Sequence, residues 1–293
     1  MQGIQYIDRK TGALCEERPP AEKYIRFLYQ SPLGKLPLEL LVRRKFLSAW
    51  YGRRMDKEKS AKKIADFVAA YNIDMSEALR TVEEFENFNA FFCRKLHPSA
   101  RPIGEGLVSP ADGKLLAFEH IDELRAFFVK GQAFNLKRFL GDEALAERYA
   151  KGSLLIIRLA PHDYHRYHFP YAGQAEEAKQ IVGRYYSVSP YALARNFVKV
   201  FCENKRAYSL LKTADRGDIL LAPVGATMVG SIHFSYPPNA QLEKGQEMGY
   251  FAFGGSTVVM LLEPGQFELS ADLLENSRRG METAVRMGEQ IGS

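Results

Sequence analysis

The run YFAFGGSTVVMLLEPG, residues 250–265, decides how this chain folds. Aromatic and β-branched residues flank its middle as in a fully buried strand, and Pro264-Gly265 closes it. The interruption is GGST. Glycine weakens a strand interior unless a bulge or a close backbone approach is needed there, so a bulge or hairpin bend is one reading. The other reading takes the hydroxyls as chemistry. The nucleophile elbow of α/β-hydrolases has the pattern G-x-S-x-G between a strand and a helix. Here Gly254-Gly255-Ser256-Thr257-Val258 lacks the final glycine and continues as strand, which excludes that elbow. Ser256 has a nearer target in the carbonyl of Gly255. If a base removes its proton, Oγ can attack that carbonyl and turn the amide into an ester, with glycine leaving the distorted backbone unobstructed. A reaction needed once, finishing on the order of an hour, has a barrier near ~22 kcal/mol, so modest catalysis is sufficient. Self-processing of this kind needs an orienting acid, a base and the nucleophile.

Working outward, similar short apolar runs punctuated by Gly and Pro recur from Arg101 onward: GKLLAFEHI, GSLLIIRLAP, GDILLAPVGATMVGSIHF and GQFELSADLL. Helical patches interrupt them around Leu136 to Tyr149 and Pro190 to Phe197. The first hundred residues read as helical, with Ile64, Phe67, Val68 and Tyr71 at the spacing of one buried face and Asp74 and Ser76 as candidate N-caps. The expected fold class is therefore α+β. A helical N-terminal portion (1–100) precedes a mainly antiparallel β catalytic domain (101–293), in which APVGATMVGSI (222–232) suggests lipoyl-type, barrel-sandwich-like strands.

The chain has 293 residues, a formal charge of +5 and three widely spaced cysteines, a usage that suggests neither a disulfide framework nor a zinc knuckle. Its longest uncharged stretch by acids and bases, Ile219 to Leu242, contains three prolines and several glycines and reads as strands and turns. A peripheral or soluble protein is expected. One segment differs in kind. LGKLPLELLVRRKFLSAWYGRRM (33–55) mixes leucines, Phe46 and Trp50 with Lys35, Arg43, Arg44, Lys45, Arg53 and Arg54, and Glu39 is its only acid. Such a segment either packs on the domain with solvated arginines or lies in a membrane interface, where each cation near an anionic leaflet contributes about 1 kcal/mol.

Two further clusters carry chemistry. VSPADGK (108–114) is turn chemistry in which Asp112 can bond its own backbone. LAPHDYHRYHFP (159–170) holds three of the six histidines, His162, His165 and His168. They suit general acid–base work, and a metal-dependent hydrolase using all three is a rival reading.

PADG (110–113), DYHRYHFP (163–170) and GGST (254–257), with FFCRKL (91–96) and RPI (101–103) ahead of them, together resemble the phosphatidylserine decarboxylase family, pyruvoyl-dependent enzymes that process themselves. The resemblance spans about residues 85 to 275. It implies a self-cleavage triad of Asp112, His168 and Ser256, with scission between Gly255 and Ser256. β-Elimination and loss of ammonia would convert Ser256 into an N-terminal pyruvoyl group, the covalent cofactor. That group would form a Schiff base with phosphatidylserine and accept the electrons left by carbon dioxide, yielding phosphatidylethanolamine. The resemblance assigns reprotonation to His165 and gives no role to His162. It departs at Gly254, where the family usually carries an apolar residue. The implied partners are phosphatidylserine, an anionic membrane surface at the cytoplasmic face of the cell membrane, and the two chains of one precursor, with a homodimer compatible and no nucleic acid. Alternatives are a pyruvoyl decarboxylase of a soluble amino acid and a non-catalytic lipoyl-like carrier.

Overall fold

The computed structural model describes residues 4–17, 52–121, 135–184, 186, 200–225, 232–254 and 256–293. Its strands are β1 (Ile4–Asp8), β2 (Leu14–Glu17), β3 (Leu107–Val108), β4 (Gly113–Phe118), β5 (Ser153–Leu159), β6 (Arg166–His168), β7 (Gly173–Ala175) and β8 (Lys179–Ile181). They continue as β9 (Arg206–Lys212), β10 (Ile219–Gly225), β11 (Ile232–Phe234), β12 (Gln241–Leu242), β13 (Glu247–Phe251), β14 (Ser256–Leu262), β15 (Glu282–Val285) and β16 (Gln290–Gly292). The α-helices that matter below are α1 (Ile64–Tyr71), α2 (Phe88–Phe92), α3 (Leu136–Leu140), α4 (Glu143–Tyr149) and α5 (Ala271–Arg278).

One large sheet runs β12-β7-β9-β10-β14-β5-β4-β15-β1-β2, with β8 also on β9. Its pairings are antiparallel apart from β1 with β15. β14 lies inside it, hydrogen-bonded along its whole length to β10 and β5, and all seven of its residues are buried. Alternation sends its side chains to two cores. Val258, Met260 and Leu262 pack with Leu155, Ile157 and Leu159 of β5 and with Leu273 of α5. Val259 and Leu261 pack with Leu154 and Ile156 under Phe139 and Tyr149 of α3 and α4. Each fully buried aliphatic side chain contributes about 1.5–3 kcal/mol, so a strand buried on both faces is firmly held. Two small sheets, β11-β13-β6 and β16-β3, complete the architecture.

The fold is mixed α/β, with mostly antiparallel open sheets. Residues 226–231 of the stretch that suggested lipoyl-type strands lie outside the described residues. Two expectations need correction. Residues 4–17 are not helical: β1 and β2 form a hairpin, its turn fixed by the Asp8 carboxylate accepting from Thr11 N at 2.8 Å and by Gly12 at φ +69°. The hairpin extends the main sheet by pairing with β15, a partner at the other end of the chain. GQFELSADLL becomes helical from Ala271, where Leu273 and Leu274 turn inward together. The helical reading holds at α1, which ends on Asn72 in the left-handed region, but Asp74 caps only a single turn, Met75–Glu77. Ile64, Phe88, Phe91 and Phe92 form a third, aromatic core, against which Phe253 packs. The patch at 190–197 and most of the basic segment 33–55 lie outside the described residues. Among the described residues no helix is long and apolar enough to cross a membrane.

Candidate active site

Ser256 opens β14, opposite Leu159 of β5 and Gly225 of β10, and is fully buried. Just before it the backbone turns sharply. Gly254 has φ +139°, a conformation that side chains with a Cβ rarely adopt. Gly255 lies outside the described residues. The approach to the turn is gripped from α2: Asn87 caps that helix by accepting from Ala90 N, and Asn89 Oδ1 then accepts from Phe253 N at 2.9 Å. Cys93 Sγ donates to the Phe251 carbonyl at 3.2 Å.

The histidine segment follows β5, the neighbour of β14. Its first turn is closed by Asp163, whose carboxylate accepts from Ala160 N at 2.7 Å and whose own N–H donates to the Ala160 carbonyl. Lys114 Nζ fixes that carboxylate at 2.9 and 3.0 Å. With the turn set, the chain doubles back and Phe251 N donates to the His165 carbonyl. The His165 ring stacks on Phe92, centroids 3.8 Å apart, and its Nδ1 lies 3.2 Å from Ser256 Oγ. Complete burial pushes His165 down to about 3, so the ring is neutral at ordinary pH. With its proton on Nε2, a neutral imidazole offers Nδ1 as an acceptor to the serine hydroxyl.

His168 is placed differently. Its N–H donates to the Pro110 carbonyl, which docks β6 on the PADG turn, and its ring stacks on Tyr164. Burial pushes it down to about 4, against the opposing pull of the Glu247 and Asp112 carboxylates. Asp112 itself is held by the Arg101 guanidinium at 2.6 to 3.1 Å and by Met287 N at 2.8 Å. The structure thus gathers the four expected residues as two pairs, Ser256 with His165 and His168 within the field of Asp112. Among the described residues no hydrogen bond joins Asp112 to His168, or His168 to Ser256. The expectation that His168 meets the Ser256 hydroxyl differs from the geometry, because the closed 160–163 turn delivers His165 there first.

Two ring nitrogens here are buried without partners, His165 Nε2 and His168 Nδ1, as is Thr257 Oγ1 on the opposite face of β14. Buried polar groups normally pair, and exceptions concentrate where chemistry is done. Among the described residues, no group of three or more His, Cys, Asp or Glu side chains is arranged to hold a metal ion. His162 stacks on Tyr71 of α1 instead, centroids 5.1 Å apart.

Residues 88–293 match the sequence profile of the phosphatidylserine decarboxylase family. Curated relatives bearing the name phosphatidylserine decarboxylase proenzyme align over almost the whole chain. One from Fusobacterium nucleatum is 49% identical over 293 residues, covering 99% of this chain and 97% of its own. Another from Clostridium perfringens (strain ATCC 13124) is 44% identical, covering 99% of each. A third, from Desulfitobacterium hafniense (strain Y51), is 44% identical and covers 99% of this chain and 98% of its own. The chain belongs to this family. Membership agrees with the ordered set of motifs, and the geometry gives roles to residues within those stretches that the sequence reading left without one. Phe92 sits on the His165 ring, Arg101 grips Asp112, and Lys114 sets the histidine turn. FFCRKL and RPI flagged the first two by position. Lys114 carried no signal, since a lysine after a turn is ordinarily solvated.

Proposed function

We propose that this chain decarboxylates phosphatidylserine to phosphatidylethanolamine, using a pyruvoyl group that it makes from Ser256 by cutting itself between Gly255 and Ser256. One observation carries the reading: a buried serine hydroxyl 3.2 Å from an imidazole that burial keeps neutral, directly after a glycine turn. Neutral His165 takes the Ser256 proton through Nδ1, and Oγ attacks the Gly255 carbonyl. The contact favours His165 over His168 as this base. His168, charge-supported by Asp112, is the second imidazole and suits the later return of a proton to the substrate carbon.

The residues present fit the pyruvoyl group. Its position is shielded from water, and the unpartnered ring nitrogens of His165 and His168 can serve new oxygens and nitrogens there. When formed, the group supplies a carbonyl that condenses with the substrate amine to a Schiff base and accepts the electrons released with carbon dioxide. The short chain, 256–293, remains in place after scission. β14 is hydrogen-bonded on both edges, β15 lies between β4 and β1, and β16 pairs with β3. The substrate's acyl chains require membrane contact, and the basic 33–55 segment suits an anionic surface at the cytoplasmic face.

Intact-mass analysis of purified protein tests this directly. Two chains meeting at the 255/256 junction are expected, the shorter lacking a free amine, with one uncut and inactive chain for Ser256→Ala. A Ser256→Ala protein with normal activity removes the reading. Free serine turned over as fast as phosphatidylserine would instead favour a soluble-substrate decarboxylase.

A further inference from the structure

Helix α2 presents two working faces. Phe88 and Phe92 meet Phe253 and His165, whereas Asn89 and Cys93 bind the backbone of Phe253 and Phe251. Beside this second face opens a cleft of about 520 Å³. Arg80, Arg94, Lys95 and Arg166 line it, with Asp56 as the one acid among its described lining residues. Arg166 immediately follows His165 and is neutralised by Glu247 at 2.8 Å. Among the described residues the other three cations make no ion-pair contact. Arg80 and Lys95 are brought side by side because Leu79 N donates to the Lys95 carbonyl at 3.0 Å and Ala78 bridges to Leu96. Both are exposed, and neither has an ion-pair partner among the described residues.

Arg94 is the unusual one. It is only 6% exposed, lies over the Phe91 ring, and donates from Nη2 to the His162 carbonyl, yet its Nη1 is buried with no partner. A buried guanidinium with no carboxylate in contact is costly to keep, and burial pulls its proton affinity below the arginine norm against the opposing pull of the Asp112 and Asp163 carboxylates. Such a group is retained where an anion is to arrive. Arginine suits phosphate because its fork of donors matches phosphate oxygens.

We infer that this cleft is the subsite for the substrate's phosphodiester, with Arg94 as its buried anchor and Arg80 and Lys95 as its rim. The inference rests on the phosphatidylserine reading above. In that substrate a short carbon spacer separates the phosphodiester from the amine that must reach position 256, and the cleft's lining includes Arg166, next to His165 in the chain, and Cys93, which donates to the Phe251 carbonyl.

The test compares Arg80→Gln/Lys95→Gln with the charge-matched surface control Lys151→Gln/Lys179→Gln. Both are assayed on short-chain phosphatidylserine in neutral micelles, which removes any anionic surface. The rim variant should complete self-cleavage and show a KM raised about tenfold over the control, the equivalent of roughly 1.4 kcal/mol of binding. Equal KM values, or a difference seen only on phosphatidylglycerol vesicles, overturn the proposal, the latter outcome assigning the cations to membrane contact. A second arm avoids catalysis. Glycerophosphoserine titrated into uncut Ser256→Ala protein should bind, more weakly when Arg94→Gln is added and with partial recovery for Arg94→Lys. Loss of self-cleavage in the unaltered chain would sink the functional reading, while this binding arm still decides the cleft. Binding of inorganic phosphate as tight as that of glycerophosphoserine counts against a headgroup subsite.

Discussion

Ser256 and Thr257 are consecutive residues of one strand, and the two sides of the sheet they face treat charge in opposite ways. On the Thr257 side the register aligns Thr257 with Arg158 and Arg158 with Lys114. Arg158 is completely enclosed, yet its guanidinium meets Glu17 at 3.0 Å and Glu282 at 2.6 and 2.9 Å. Lys114 meets Asp163 at 2.9 Å and lies 3.9 Å from Glu17. These buried charges are matched. On the Ser256 side stand two imidazoles, which burial keeps uncharged and which retain unpaired nitrogens. The ion pairs hold strands from distant parts of the chain in register, and the neutral side leaves proton-transfer groups free to act. The contrast separates architecture from chemistry within a few ångströms of sheet.

The sharpest way to break the comparison is to remove each imidazole in turn. His165→Asn should slow self-cleavage by about 10²–10⁴-fold, the usual contribution of a positioned base. Mass spectrometry over hours to days after purification reads this as a persisting uncut chain. His168→Asn should still cut, with its loss appearing in carbon dioxide release. The reverse pattern would restore the role first assigned to His168 and show that the 3.2 Å contact is not the productive one.

The matched side predicts stability rather than chemistry. Arg158→Met leaves half-buried Glu282 without its cation and buried Glu17 with only Lys114 at 3.9 Å. Breaking a buried pair from one side costs about 3–5 kcal/mol. Denaturant titration of the uncut Ser256→Ala background should show that loss. Replacing Arg158, Glu17 and Glu282 together by apolar residues should recover part of it. An Arg158→Met chain as stable as its parent would mean the network is looser than its distances imply.

Much of this was legible beforehand. β5, β10 and β14 declared themselves as apolar runs because strands buried on both faces need no alternation. Ser256, His165, His168 and Asp112 were each singled out, and the structure brings them into one region. What could not be read was which histidine reaches the hydroxyl. Residues three apart look equivalent in sequence, and the choice depends on Asp163 closing a turn with Lys114's help, a contact between residues 49 positions apart. The β1–β2 hairpin was hidden for the same reason, since its parallel partner β15 lies more than 270 residues away and Glu17 finds Arg158 only in the folded sheet. Local pattern shows what each segment is, while long-range charge pairing decides where it goes.

The last expected effect concerns acid. In the unfolded chain a histidine titrates near 6.5, whereas in the fold His168 and His165 stay neutral down to about 4 and about 3. Between those limits the unfolded state binds more protons, so stability must fall as pH drops below roughly 6.5 and keep falling until the folded rings themselves protonate. Asp163 acts in a lower window. Its carboxyl is held down to about 2, chiefly by Lys114 overcoming the penalty of burial, so its stabilisation is complete above the ordinary aspartate range and disappears as pH falls toward 2. The neutral side of the sheet should thus yield to acid before the matched side does. Denaturant titrations of Ser256→Ala protein between pH 7 and pH 4.5 should show stability falling by at most about 1.4 kcal/mol per pH unit for each histidine. Adding His168→Asn should flatten that slope by one histidine's share while leaving the loss tied to Asp163 at lower pH in place. A slope unchanged by His168→Asn would mean that this ring titrates in the fold as it does in the unfolded chain, and the contrast between the two sides would then rest on His165 alone.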